Sequence, residues 1–263
     1  MTSTLPPDLL ERGHVRTDVD GRVLQITLDR PDARNAQTPA TWAALSAIGD
    51  ACASGAFDVV VFRGAGSAFS SGLDRRMFTP EGIPGEASLA AMATMPDGDL
   101  AELIADFQTA FLWQREVPAL TLAAVHGAAI GAGFQLALAC DILIATPEAT
   151  FAMRETSYGL VPDLAGTHPL VRSVGYARAV DICATGRSVS AEEGFRLGFV
   201  TRVVDDIEAG ISEVVAAASS APPGAISALL PLLQSAEAAS RSEQAGRERE
   251  VQVARLRALL GGG

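Results

Sequence analysis

Two stretches of the chain join a β-branched run to a turn of small residues and then to the start of a helix. In the first, Phe62-Arg63-Gly64 leads into Ala68-Phe69-Ser70-Ser71-Gly72-Leu73-Asp74. In the second, Val125-His126-Gly127 leads into Ile130-Gly131-Ala132-Gly133-Phe134-Gln135. Backbone N–H groups in such turns, and in the first turn of a helix, have no acceptor inside their own element and point outward as anion binders. Two of them converging on one carbonyl oxygen make an oxyanion hole, where each donor lowers a barrier by about 3–4 kcal/mol. Neither stretch has GxGxxG or Walker spacing, so a nucleotide phosphate is not the expected ligand. Cys52, Cys140 and Cys183 stand far apart without a CxxC pair, and the three histidines lack metal-ligand spacing. The cysteines read as small buried hydrophobes in a reducing compartment, and no metal is expected.

Such turns work only on a scaffold that holds them. Residues 14–28 alternate around Asp20-Gly21, which signals a hairpin. Thr38-Pro39 opens a helix, with Pro39 in its first turn and Trp42, Leu45 and Ile48 on an apolar stripe. Residues 58–64 (DVVVFRG) read as a buried parallel strand. Residues 79–99 are rich in Pro, Gly, Met and Ala without period, a loop or loosely placed short helices that can serve as a lid. Residues 100–116 make a helix with Leu103, Phe107, Ala110 and Phe111 on one side. Strands follow at 120–127, 141–146 and 151–153, helices near 167–185 and 190–197, a last strand at 199–204, and only helices from about Ile207. That order predicts an α/β protein, with a core over residues 1–206 and a helical C-terminal region over 207–263. The tail, 237–260, places Val253, Leu256 and Leu260 on one helical face and fits either a solvated helix or a subunit contact.

The 263 residues are 48% hydrophobic, enough to fill a large core. Twenty Lys and Arg against 31 Asp and Glu leave a net charge of -11, which disfavours nucleic acid and anionic membranes as partners. A small anion can still be held by local Arg and N–H groups. The first residues lack the basic start and apolar stretch of a signal peptide, and no apolar run approaches the ~20 residues of a membrane span. A soluble cytoplasmic protein is expected.

Five segments in order, LDRPDARNA (28–36), AFSSGLD (68–74), AAVHGAAIGAGFQLALACD (123–141), FAMRETSYGLVPDLAG (151–166) and TGRSVSAEEGFRLGFVTRVV (185–204), resemble the crotonase superfamily of enoyl-CoA hydratases and isomerases. The resemblance implies a crotonase-type ββα spiral core with a C-terminal helical region, assembled as a homotrimer or a dimer of trimers. It implies an acyl-CoA thioester as substrate, with no cofactor beyond the coenzyme A that the substrate carries.

Residue by residue, it places the oxyanion-hole donors at the N–H groups of Leu73 and Ala132. The family usually has Gly at the second place, so the Ala132 methyl narrows the site. Arg34 and Ala36, with Ser71, Gly72, Asp74, Gly131 and Gly133, are the implied substrate- and CoA-binding residues. Family hydratases use two glutamates. The second corresponds to Glu155; at the first stands Gln135. Asp163 falls where dienoyl-CoA isomerases carry an aspartate, although a helix N-cap near Gly166-Thr167 competes for it. Hydration needs a base for water and an acid for the α carbon, and an amide supplies neither. The expected reaction is therefore double-bond migration, with Glu155 as proton shuttle. The alternatives are a specialised hydratase with a water held by Gln135, and a non-catalytic acyl-CoA-binding protein. RNA binding, known in this superfamily, is disfavoured by the acidic charge. His126 is expected to be structural, and His168 packed or at a subunit contact. Arg75 and Arg76 are either solvated or near CoA phosphates, and Met77, Phe78, Met92, Met95 and Phe111 either line an acyl pocket or belong to the core.

Overall fold

A computed structural model of the chain describes residues 6–260. It opens with α1 (Pro7–Gly13), two turns of helix that are too short to announce themselves by periodicity. The Asp20-Gly21 signal lies where expected, between β1 (Val15–Asp20) and β2 (Val23–Leu28), which pair antiparallel from Val15–Leu28 to Asp20–Val23. Thr38 caps α2 (Pro39–Cys52) through its hydroxyl, which accepts from the Thr41 N–H. Then come β3 (Val59–Gly64), α3 (Leu89–Met92), α4 (Asp97–Leu112), β4 (Leu120–Val125), β5 (Ala128–Ile130), α5 (Ala132–Ala139), β6 (Ile142–Ala145) and β7 (Thr150–Ala152). The chain continues through α6 (Thr167–Val174), α7 (Tyr176–Thr185), β8 (Val189–Ser190), α8 (Ala191–Leu197), β9 (Arg202–Val203), α9 (Ile207–Ser219), α10 (Ala225–Ala236) and α11 (Arg241–Leu260).

Six strands form one sheet in the order β1-β2-β3-β4-β6-β9, parallel except for the hairpin. A second sheet has the order β5-β7-β8. The largely apolar runs of β3, β4 and β6 are explained by burial on both faces. Val59, Val61, Leu122, Ala124 and Ile144 pack on Ile211 and Val214 of α9. The alternate residues Val60, Phe62, Ala123, Val125, Leu143 and Ala145 join the main core, with Trp42, Leu45 and Ile48 of α2, Phe107 and Phe111 of α4, and Phe134 of α5. The side-chain period of two thus divides one strand between two cores.

The first helix of the C-terminal region is therefore built onto the sheet. In contrast, α11 buries no residue and exposes Val253, Leu256 and Leu260. Several expectations shift in detail, among them the last strand, expected at 199–204 and found only at Arg202–Val203. The helix expected at 100–116 starts at Asp97 and ends at Leu112, passing into a 3₁₀ turn at Trp113–Arg115. The first glycine turn opens no α-helix: Asp74 caps a single 3₁₀ turn, Arg75–Phe78, by accepting from the Arg76 N–H. Among the described residues no helix is long and apolar enough to cross a membrane.

Candidate active site

The two glycine turns lie against each other. Ser70 is bridged to Ala129 of β5, its N–H donating to the Ala128 carbonyl and its own carbonyl accepting from Ile130, both at 2.9 Å. Gly72 has φ +85°, and a Cβ there would stand 2.5 Å from the Ile130 carbonyl oxygen and 3.6 Å from the Ala132 nitrogen. Only glycine permits that approach at that angle. Gln37 clasps the turn from the other side. Its N–H donates to the Gly72 carbonyl (2.7 Å) and its carbonyl accepts from Asp74 (2.8 Å). Between those two bonds the Leu73 N–H has no partner among the described residues. Ala132 is the first residue of α5, where an N–H has no acceptor within the helix. Leu73 and Ala132 both line one cavity of about 940 Å³. Two free donors on one wall can hold an oxygen that gains negative charge.

Glu155 faces the same cavity from the start of a 3₁₀ turn, Glu155–Tyr158. Its Oε1 accepts from Gln135 Nε2 at 2.8 Å, while its Oε2 is buried without a partner among the described residues. Burial pushes its pKa up, against hydrogen bonds from its own backbone and from Gln135, and the nearby Asp163 charge adds to the rise. Gln135 is buried, and its amide orientation is fixed because Oε1 accepts from the Leu164 N–H (3.0 Å) and the Gly166 N–H (3.3 Å). Asp163 also lines the cavity; it is exposed at its surface, but desolvation of its carboxyl by the surrounding protein raises its pKa too. It is not the cap considered above: α6 starts after Gly166 with no side-chain cap.

Arg34, Ala36, Ser71, Gly72, Asp74 and Gly131 line this cavity as well. Gly133 does not. It packs on Ser70, where an added Cβ would come within 2.6 Å of the serine Cβ, so its glycine serves close packing and not ligand contact. The Asp74 carboxylate is committed within the protein, to Arg30 at 2.6 Å and Arg76 at 2.8 Å. Burial opposes its charge, but hydrogen bonds from the side chain and backbone of Arg76 and from Arg30 outweigh that and hold its carboxyl below the usual range. His126 contacts the Gly66 carbonyl at 2.9 Å, as a turn brace should. Met77, Phe78 and Met92 line the cavity, whereas Phe111 is in the core.

Sequence reasoning missed Trp42, Leu100, Ile104 and Phe107, which line the cavity from α2 and α4. Their helical stripe read only as core; the mixed signal was that one stripe both fills a core and walls a pocket. It also missed Tyr158, whose ring lies 5.1 Å from that of Phe78 at the cavity wall. No group of three or more metal-binding side chains occurs among the described residues.

The family model for enoyl-CoA hydratase/isomerase matches residues 18–256, and the chain belongs to that family. It is an acyl-CoA enzyme on the crotonase fold. A Thermobifida fusca protein assigned as an enoyl-CoA hydratase, solved in complex with CoA, superposes with TM-score 0.92 at 39% identity, covering 100% of both chains. Its complex with acetoacetyl-CoA gives 0.91 at 40%, over 97% of this chain and 99% of that one. A Rhodobacter capsulatus protein named as a probable enoyl-CoA hydratase is 34% identical over 74% of this chain and 70% of its own length. The mouse mitochondrial Δ(3,5)-Δ(2,4)-dienoyl-CoA isomerase is 30% identical over 77% of this chain and 62% of its own.

Proposed function

We propose that this enzyme moves a double bond in an unsaturated fatty acyl-CoA, with Glu155 as the only proton shuttle at the reacting carbons or with Asp163 beside it. The observation that carries the reading is the state of Gln135. Both lone-pair directions of its carbonyl are used by Leu164 and Gly166, and one N–H is used by Glu155. What remains is one N–H, which can hold a water oxygen but cannot take its proton.

Glu155 Oε2 takes a proton from carbon 2 of a 3-enoyl thioester. The C–H pair moves toward the carbonyl, and the resulting dienolate oxygen is held by the Leu73 and Ala132 N–H groups. The proton returns to carbon 4, which leaves the conjugated 2-enoyl thioester. Burial of Glu155 suits this work, since a carboxylate with a raised pKa is the stronger base toward carbon 2, while its carboxyl is still far more acidic than the carbon acid and so protonates the dienolate at carbon 4. The CoA part of the substrate is placed along Arg34, Ala36 and Ser71, which line the cavity; that the Thermobifida fusca protein was solved with CoA supports a CoA ester as the ligand.

The hydratase names of most relatives favour a second reading, slow hydration with a water on the free Gln135 N–H. A panel of 2-enoyl-, 3-enoyl- and dienoyl-CoAs, assayed with the wild type and Glu155→Gln, separates the two. Isomerisation predicts fast conversion of the 3-enoyl substrate and little hydration, with Glu155→Gln slower by about 10³-fold. Rapid hydration of crotonyl-CoA by the wild type would sink the isomerase reading.

A further inference from the structure

Gln37 is fully buried, and all of its polar groups are occupied. Its backbone holds Gly72 and Asp74 on either side of Leu73. Its side chain makes two further bonds. Oε1 accepts from Trp42 Nε1 at 2.9 Å, and Nε2 donates to Ser70 Oγ at 3.1 Å. Ser70, also fully buried, passes the contact on: its Oγ accepts from the Gly72 N–H at 3.2 Å and donates to the Asn35 carbonyl at 2.8 Å. Trp42 is one of the residues that wall the cavity. A continuous buried hydrogen-bonded chain therefore runs from the cavity wall to the peptide that presents the Leu73 N–H.

Such a chain has physical consequences. A buried polar group that loses its partner costs about 1–3 kcal/mol, so each member constrains the next. The tolerance at the other end is small, because an N–H donor stabilises an oxyanion only within about 2.7–3.1 Å of the place where the charge develops. A main-chain turn containing a glycine at φ +85° has no stiffness of its own to supply that tolerance. We infer that Gln37, acting through Ser70 and Trp42, is the positioning residue for the Leu73 oxyanion donor and couples it to the acyl-facing wall of the cavity. The inference rests on the reading that Leu73 N–H binds the thioester oxygen. Gln37 touches no substrate; it acts through the turn.

The test reads the thioester carbonyl directly. Octanoyl-CoA labelled with 13C at the thioester carbon is unreactive toward double-bond migration, and its C=O stretch on the protein falls with the strength of the donors. The stretch is recorded for the wild type, Gln37→Leu, Ser70→Ala and Trp42→Phe, beside kcat and KM for a 3-enoyl-CoA, with melting temperature and free CoA affinity as folding controls. The wild type should lower the stretch relative to free octanoyl-CoA. Gln37→Leu should return most of that shift and reduce kcat by about 10- to 100-fold with KM changed less than about threefold. Trp42→Phe keeps the ring, removes only the donor and should move the stretch the same way by less. It stays readable if the other two fail to fold. Variants that lose kcat while the wild-type stretch persists, or a Trp42→Phe protein with an unchanged stretch, overturn the positioning role alone. A wild-type complex without any shift overturns the oxyanion hole itself, and the inference with it.

Discussion

The 2.8 Å bond between Gln135 and Glu155 favours the charged form of the Glu155 carboxylate and fixes the orientation of both side chains. A glutamate at position 135 would keep the two backbone donors that now serve the amide oxygen, Leu164 and Gly166, and so be the better-stabilised anion of the pair. Its other oxygen would then face Glu155 Oε1, and like charges at that distance push the weaker site upward. Gln135→Glu should therefore gain hydration of crotonyl-CoA by about 10²-fold or more. At the same time the acid limb of the isomerase pH profile should move to higher pH, because Glu155 must lose its proton against a neighbouring charge. A gain in hydration with an unmoved limb would show that the two side chains do not meet. The Glu155 pKa is already raised by burial, which fixes a sign for stability. The folded protein holds that proton to higher pH than the unfolded chain does, so the carboxylate disfavours folding above the folded pKa. Glu155→Gln should raise the melting temperature at neutral pH, and the gain should vanish as pH falls below the ordinary glutamate range, where both states are neutral. Melting curves at pH 4 and pH 7.5 decide it.

At the scale of elements, the glycine turn carries the tightest constraint. Gly72→Ala places a Cβ 2.5 Å from the Ile130 carbonyl oxygen, in addition to the strain of φ +85°. Gly85 has almost the same angle, φ +81°, with nothing within 4 Å of a Cβ. Gly85→Ala should cost only the backbone strain, about 1 kcal/mol. Gly72→Ala should cost roughly 2–4 kcal/mol and lower kcat by about 10²-fold, because relief of the clash moves the Leu73 donor. Equal losses in denaturant titrations would remove the close-approach argument. These elements also show what the sequence made legible. The hairpin, the Thr38-Pro39 helix start and the buried strands were readable because local turn and capping chemistry dictates them. The segments that carry Leu73, Ala132, Gln135 and Glu155 were readable as motifs. The contact between Gln135 and Glu155 was not, since β6, β7 and two turns separate them and only the packing of α5 against the 155–166 segment brings them together. Gln37 was invisible for another reason. Before Thr38-Pro39 it looks like the polar lead-in to a helix, and nothing local tells that its side chain is buried between an indole and a serine. Trp42 belongs to a stripe that reads equally well as plain core.

For the whole molecule the question is how a chain of net charge -11 captures an anionic CoA ester. Charge spread over the surface acts at long range and is screened within about 8 Å at physiological salt. Charge at the cavity acts at contact. Arg34 and Arg75 line the cavity, are exposed, and make no salt bridge within the described residues. Arg30 and Arg76, by contrast, are spent on Asp74. Arg154 lines the cavity too but donates to the Gly186 carbonyl at 2.9 Å, so Arg34 and Arg75 are the pair with no side-chain partner among the described residues; because Coulomb energy falls with both distance and screening, they should dominate at 0.15 M salt. Two opposite salt dependences follow. In the wild type, KM for an acyl-CoA should rise as NaCl goes from 0.15 to 0.5 M, since the salt weakens the attraction at the mouth. In Arg34→Ala/Arg75→Ala the hydrogen-bonded Arg154 is the remaining arginine of the cavity lining, and the average repulsion should outweigh it. The KM of this variant should start higher, by about fivefold to thirtyfold if each of the two lost pairings is worth about 0.5–1 kcal/mol, and fall with the same salt increase. A double variant whose KM still rises with salt would mean that the phosphates meet other cations, and that the acidic surface has no part in setting the affinity.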